Sequence, residues 1–103
     1  MKTHVFALAL LATLTSTAPA FADQALATAK NCMSCHTLER KVVGPAFKDV
    51  AAKYAGDKAA ADRLATKIQK GGSGVWGPVP MPSNTQVNDA EAKKLAAWVL
   101  TIK

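Results

Sequence analysis

Cys32-Met33-Ser34-Cys35-His36 is the stretch on which the whole reading turns. Two thiols separated by two residues, with a histidine directly after the second, form the pattern by which a haem is bonded covalently to a polypeptide. The spacing has a physical basis. Each thiol can add to one of two vinyl groups on one edge of a porphyrin, and the adjoining imidazole is then carried beneath the ring to bind iron. Two other uses of the motif fit less well. A thiol–disulfide redox pair belongs in a βαβ setting, and none is visible around these cysteines. A zinc site calls for four protein ligands, yet beyond the two cysteines residues 23–103 offer only His36 and carboxylates.

Toward the N-terminus, Lys2 is followed by an apolar run from Val5 to Leu14, broken only by Thr13, and by the small-x-small site Ala20-Phe21-Ala22. That order is a secretory leader cleaved before Asp23. Ten helical residues rise only ~15 Å, too little to cross a ~30 Å hydrocarbon core. No cysteine follows the cleavage site, so no lipid anchor is expected. The reading is therefore a leader, 1–22, and one domain, 23–103. Loss of Lys2 from the 13 basic residues leaves 12 against 7 acidic ones. Lys30, Lys41, Lys53, Lys67 and Lys94 are scattered rather than gathered into the basic stripe of a nucleic-acid binder. The excess predicts steering toward an acidic partner, with no nucleic acid and no stable membrane insertion. A domain this short buries a marginal core and needs a staple. A bridge between cysteines three positions apart would close a trivial loop, which leaves the haem as the staple.

Toward the C-terminus the pattern is helical. Asp23 to about Lys30 is rich in alanine and leucine, good helix formers. Phe47, Val50, Ala51 and Tyr54 then recur at the spacing of one helix face, with Pro45 suited to the first helical position and Gly56 as the stop. A third helix is predicted from about Lys58 to Lys70, with Asp57 as its cap, Ala61, Leu64, Ala65 and Ile68 as its stripe, and Gly71-Gly72 as its end. A fourth starts at Asn88, where Asn-x-x-Glu (Asn88, Glu91) reads as a reciprocal cap, and buries Leu95, Trp98, Val99 and Ile102. No alternating run long enough for a strand remains, so the expected class is all-α: four to five short helices wrapped around one haem. Leu26, Phe47, Val50, Leu64, Ile68, Leu95, Trp98 and Val99 are expected to line it.

Between the third and fourth helices, 71–87 is too long for an idle connection and carries Trp76, Val79 and Met81. If His36 holds one face of the iron, the other needs a ligand. His4 leaves with the leader, and Met33 sits between the cysteines at the ring edge, so Met81 is the remaining thioether. Its setting, Pro78-Val79-Pro80-Met81-Pro82, restricts several φ angles and favours an extended presentation. Histidine–methionine ligation raises the reduction potential and fills both axial positions. That describes a one-electron carrier. An enzyme or gas sensor with an open iron is the competing class.

In order along the chain, the haem motif, Val43-Gly44-Pro45-Ala46, the run Gly74 to Pro82 and Trp98-Val99-Leu100 resemble the short class I bacterial cytochromes c of the c-551/c-552 type. The resemblance covers essentially all of 23–103 and implies a monomeric, periplasmic shuttle with one haem c. Its partners would be redox proteins such as a bc-type donor, a terminal oxidase or a nitrite reductase. It implies that the Pro45 carbonyl accepts from the His36 ring, that the Trp76 indole N–H meets a haem propionate, and that the Asn84 amide lies near the Met81 sulfur. Lys67 stands where some relatives place an arginine near a propionate, and equally suits a solvated helix face. Where many relatives have Met-Pro-Pro-Asn, this chain has Met81-Pro82-Ser83-Asn84.

Overall fold

The computed structural model describes residues 9–13 and 21–103. The expected leader, 1–22, lies largely outside the described residues. Four α-helices follow in order: α1 Phe21–Ala29, α2 Phe47–Lys53, α3 Ala60–Lys70 and α4 Asp89–Val99, with one 3-10 turn at Cys32–Ser34. Asn31, at φ 65°, is the left-handed residue that turns the chain from α1 into that 3-10 turn; asparagine tolerates this conformation better than most side chains.

The helical expectation holds, with one addition, a short ribbon where no strand was expected. Gly72–Gly74 (β1) and Gly77–Met81 (β2) pair antiparallel, with Gly72 opposite Met81 and Gly74 opposite Gly77. Val75 and Trp76 form the tip. Strand alternation was invisible here because β1 is Gly-Ser-Gly and two of the five β2 residues are proline. A two-stranded ribbon tolerates prolines because each strand has a free edge.

Helix starts also differ from expectation. Pro45 is not the first helical residue: Ala46 is the N-cap of α2, so the proline stands outside the helix. Asp57 does not cap α3 directly. Its Oδ1 accepts from the Ala59 N–H at 2.9 Å, which makes an opening turn, and regular helix begins at Ala60.

The Asn88–Glu91 cap is present in full. Asn88 Oδ1 accepts from Glu91 N–H at 2.8 Å, and Glu91 Oε1 accepts from Asn88 N–H at 3.2 Å. The hydrogen bond from Asn88 and the neighbouring Lys30 ammonium hold the Glu91 carboxyl below its usual range. Its contribution to stability is therefore complete above the ordinary glutamate range and is lost as pH falls through the lowered value. Asn88→Ala is expected to cost about 1 kcal/mol, which lowers the melting temperature by roughly 4–8 °C in a domain of this size; thermal melts of the two proteins check it.

The core gathers around α4, which packs against α1, α2 and α3. Leu95, Trp98 and Val99 are buried with Phe47 and Val50, as the periodicity predicts. Alanines supply the rest: Ala27, Ala92 and Ala96 have no exposed surface, which lets the helix axes approach closely. Val87 is also buried, although no periodic pattern marks it. Two ion pairs link α1 to α4, Lys30–Glu91 at 3.2 Å and Lys94–Asp23 at 3.5 Å. Pairs this exposed contribute about 0–1 kcal/mol each, so the apolar contact holds the helices together and the charges fix their register.

Candidate haem site

The 3-10 turn positions the cysteines and the histidine. Cys35 N–H and His36 N–H both donate to the Cys32 carbonyl, at 3.3 and 3.1 Å, so the backbone folds back within five residues. Cys32 and Cys35 are both half-buried. Burial pushes the Cys32 thiol up, with a backbone hydrogen bond opposing it. A dithiol redox couple needs the opposite, a thiol held low so that the thiolate attacks. Among the described residues no three of His, Cys, Asp and Glu converge as a metal cluster, so the zinc reading also lacks its ligands.

His36 is gripped from three sides. Its Nδ1 lies 2.7 Å from the Pro45 carbonyl oxygen, a contact that makes Nδ1 the protonated nitrogen and leaves Nε2 for a metal. The ring stacks on Phe47 with centroids 4.7 Å apart and planes 20° from parallel, and Phe47 meets Trp98 edge-on at 5.5 Å. The third side is Gly44. A Cβ there would stand 2.5 Å from His36 Cε1, so only glycine lets the ring lie against the backbone. Gly44 N–H donates to the Cys35 carbonyl at 2.8 Å, closing the loop between the motif and α2. Sequence spacing showed Pro45 and Phe47 but gave no sign of what Gly44 does, because its glycine requirement comes from space, not from an unusual φ.

His36 opens onto a solvent-open cleft of about 280 Å³. One wall is α2 and α3, through Phe47, Val50, Tyr54, Leu64, Lys67 and Ile68; the other is 41–45 and the hairpin through Met81 and Pro82. The lining is mainly apolar. Val43, Val75, Trp76 and Val79 keep 51, 52, 41 and 60 % of their surface exposed. Apolar walls, with Cys35 and His36 on them and Cys32 in the adjoining turn, form a set that fits a broad, flat, mostly apolar macrocycle with a central metal.

Among the residues expected to line the site, Leu26, Leu95 and Trp98 do not. Leu95 and Trp98 are buried behind the cleft in the core, and Leu26 packs on that core from α1. Period 3.6 marks an inward face without saying whether a helix or a cofactor fills the inside. Cys35, His36, Pro45, Lys67, Trp76 and Met81 share the cleft, with Cys32 next to it in the turn. Lys53 Nζ lies 5.6 Å from the centre of the Trp76 ring, a cation–π contact that ties the hairpin tip to α2. Lys41 borders the cleft. Lys30 does not, being held by Glu91 and by the Gln86 carbonyl at 3.0 Å. Asn84 has a structural use that its spacing did not show. Its Nδ2 donates to the Ile68 carbonyl at 2.7 Å, with a longer contact to Pro82 O at 3.5 Å, so the amide fastens the loop to α3.

Comparison with known proteins agrees with this geometry. A family model described as cytochrome c matches residues 23–103. Cytochrome c-552 of Hydrogenobacter thermophilus is 64% identical over 83 residues, which cover 81% of this chain and 84% of that protein. Cytochrome c-551 of Pseudomonas aeruginosa is 55% identical over 74 residues, covering 72% of this chain and 70% of that one. The crystal structure of Nitrosomonas europaea cytochrome c552 superimposes with a TM-score of 0.76 at 59% identity, over 78% of this chain and 99% of its own.

Proposed function

The chain belongs to the cytochrome c family, and on that premise we propose that it is a periplasmic electron shuttle whose haem iron is held between His36 and Met81. It carries one haem c and is an electron carrier, not an enzyme. The observation that supports the ligand pair is the shared cleft. His36, with Nε2 left free by the Pro45 contact, and Met81, at the end of the proline-bracketed strand β2, both line it.

Bound haem supplies the one-electron couple of its iron. The chain's residues decide how that couple behaves. Cys32 and Cys35 bond the ring edge and fix its position. The Pro45 carbonyl accepts the Nδ1 proton, which orients His36 and makes it a better donor. The Met81 thioether would hold the iron, favour its reduced form and raise the potential, and would leave no seat for oxygen or peroxide. Trp76, through its indole N–H, and Lys67, through its ammonium, are suited to the haem carboxylates, since both lie on the cleft and both donate.

Export is supported by the leader pattern in 1–22 and by a family match that begins at Asp23. Among the described residues no helix is long and apolar enough to cross a membrane. Partners are redox proteins, and the basic excess with Lys41 at the mouth of the cleft suits one with an acidic face.

The test is an intact mass and absorption spectra of the exported protein. The expected result is the mass of 23–103 plus one haem, with the weak far-red band of sulfur-ligated ferric iron. Electron exchange with an acidic redox partner should slow as salt rises past about 0.1 M, where charges are screened beyond ~10 Å. A bare polypeptide mass overturns the assignment.

A further inference from the structure

Met81 is delivered by a strand, but the place where it stops is set by the end of a helix. α3 closes at Gly71, whose φ of 69° and ψ of −159° belong to a region open almost only to glycine. A Cβ on Gly71 would stand 2.3 Å from the Met81 carbonyl oxygen and 2.8 Å from both Pro82 C and Ser83 N. All three are backbone atoms, so no change of rotamer relieves the clash. The next residue, Gly72, is the cross-strand partner of Met81. Beyond Met81, the loop is fastened to the same helix end. Asn84 N–H donates to the Gln69 carbonyl at 3.2 Å, and Asn84 Nδ2 donates to the Ile68 carbonyl at 2.7 Å. These bonds use carbonyls that a helix C-terminus otherwise leaves unpaired.

We propose that the C-terminal end of α3, Ile68 to Gly71, is a backstop that positions Met81 and thereby sets how firmly its sulfur holds the iron, with Gly71 as the positioning residue. The inference rests on Met81 being the ligand and adds what controls it. Packing of α3 on α4 makes the backstop rigid. A methyl group at Gly71 forces the Met81–Ser83 backbone to shift, and the sulfur is carried away from its seat with it. Gly71 does not line the cleft, so its effect passes through Met81.

The test uses the haem-loaded full domain and free imidazole as the competing ligand for the ferric iron. Gly71→Ala is expected to bind imidazole at least about tenfold more tightly than the parent, because a loosened sulfur raises the fraction of open iron, and to show a weaker far-red band. Asn84→Ala, which keeps the glycine but frees the loop from Ile68, is expected to shift in the same direction and serves if Gly71→Ala yields no folded protein. Gly56→Ala is the control: Gly56 also has positive φ, at 78°, but a Cβ there meets nothing within 4 Å. It should melt earlier while its imidazole affinity stays within about twofold of the parent. Imidazole affinity within about twofold of the parent for every folded variant at Gly71 and Asn84 overturns the backstop. If Met81→Ala itself keeps the far-red band, the ligand assignment fails instead, a separate outcome.

Discussion

The 23–103 chain with both Cys32 and Cys35 changed to alanine, and so without covalent haem, is expected to show no cooperative thermal transition and weak far-ultraviolet helicity at 25 °C. The structure explains why. Its core is small and largely alanine, and among the described residues Leu95 is the one large side chain with almost no exposed surface. Val43, Val75, Trp76 and Val79 stay about half exposed to the cleft when only protein atoms surround them. Fully burying a side chain of that kind contributes ~1.5–3 kcal/mol, so completing the burial of four half-exposed ones against a haem contributes on the order of 3–6 kcal/mol. Net stabilities are only ~5–15 kcal/mol, and chains this short sit at the low end. The hairpin has the most to lose. β1 is exposed throughout and β2 nearly so, and a lone two-stranded ribbon is marginal in water. A sharp melt within about 10 °C of the haem-loaded protein would show that the polypeptide stabilises itself.

Met81→Ala is expected to change the chemistry and keep the fold. Met81 is only partly buried and borders the cleft, so its loss leaves α1 to α4 and the His36 clamp in place. The far-red band should vanish, the reduction potential should fall, and the reduced protein should bind carbon monoxide rapidly at neutral pH. If Met81 is the ligand, the iron opens only when the sulfur leaves. If it is open about 1 % of the time, removing the sulfur tightens apparent carbon monoxide binding by about hundredfold. The same measurement on the parent separates a carrier from an open-site haem enzyme, since rapid stoichiometric binding there would favour the enzyme. A Met81→Ala protein that keeps the band and still excludes carbon monoxide would place the second ligand elsewhere.

Much of the site was legible because covalent attachment demands a short contiguous motif. Cys32, Cys35 and His36 announce themselves by spacing alone, and Met81 is the thioether proposed by elimination because so few candidate ligands remain. Helix faces were legible for the same local reason: Phe47, Val50, Leu95, Trp98 and Val99 recur at the helical period and are buried. Local bonding also made the Asn88–Glu91 cap readable, since both partners lie within four residues. The hairpin was missed because glycine and proline carry no alternation, although these residues let Met81 be held in an extended strand.

What the amino-acid sequence determined by itself was therefore the chemistry: a porphyrin bonded through two sulfurs, an imidazole beneath it, a thioether available, and helices to enclose them. Only the tertiary structure decided how those groups are aimed. Gly44 lies under His36, Gly71 abuts the Met81 carbonyl, Asn84 hooks onto Ile68 O, and Leu95 and Trp98 fill the core behind the cleft. The division has one physical cause. Bond-forming capacity belongs to single residues and their neighbours in the chain, whereas close approach between segments exists only after distant pieces of backbone have been brought to within a few ångströms.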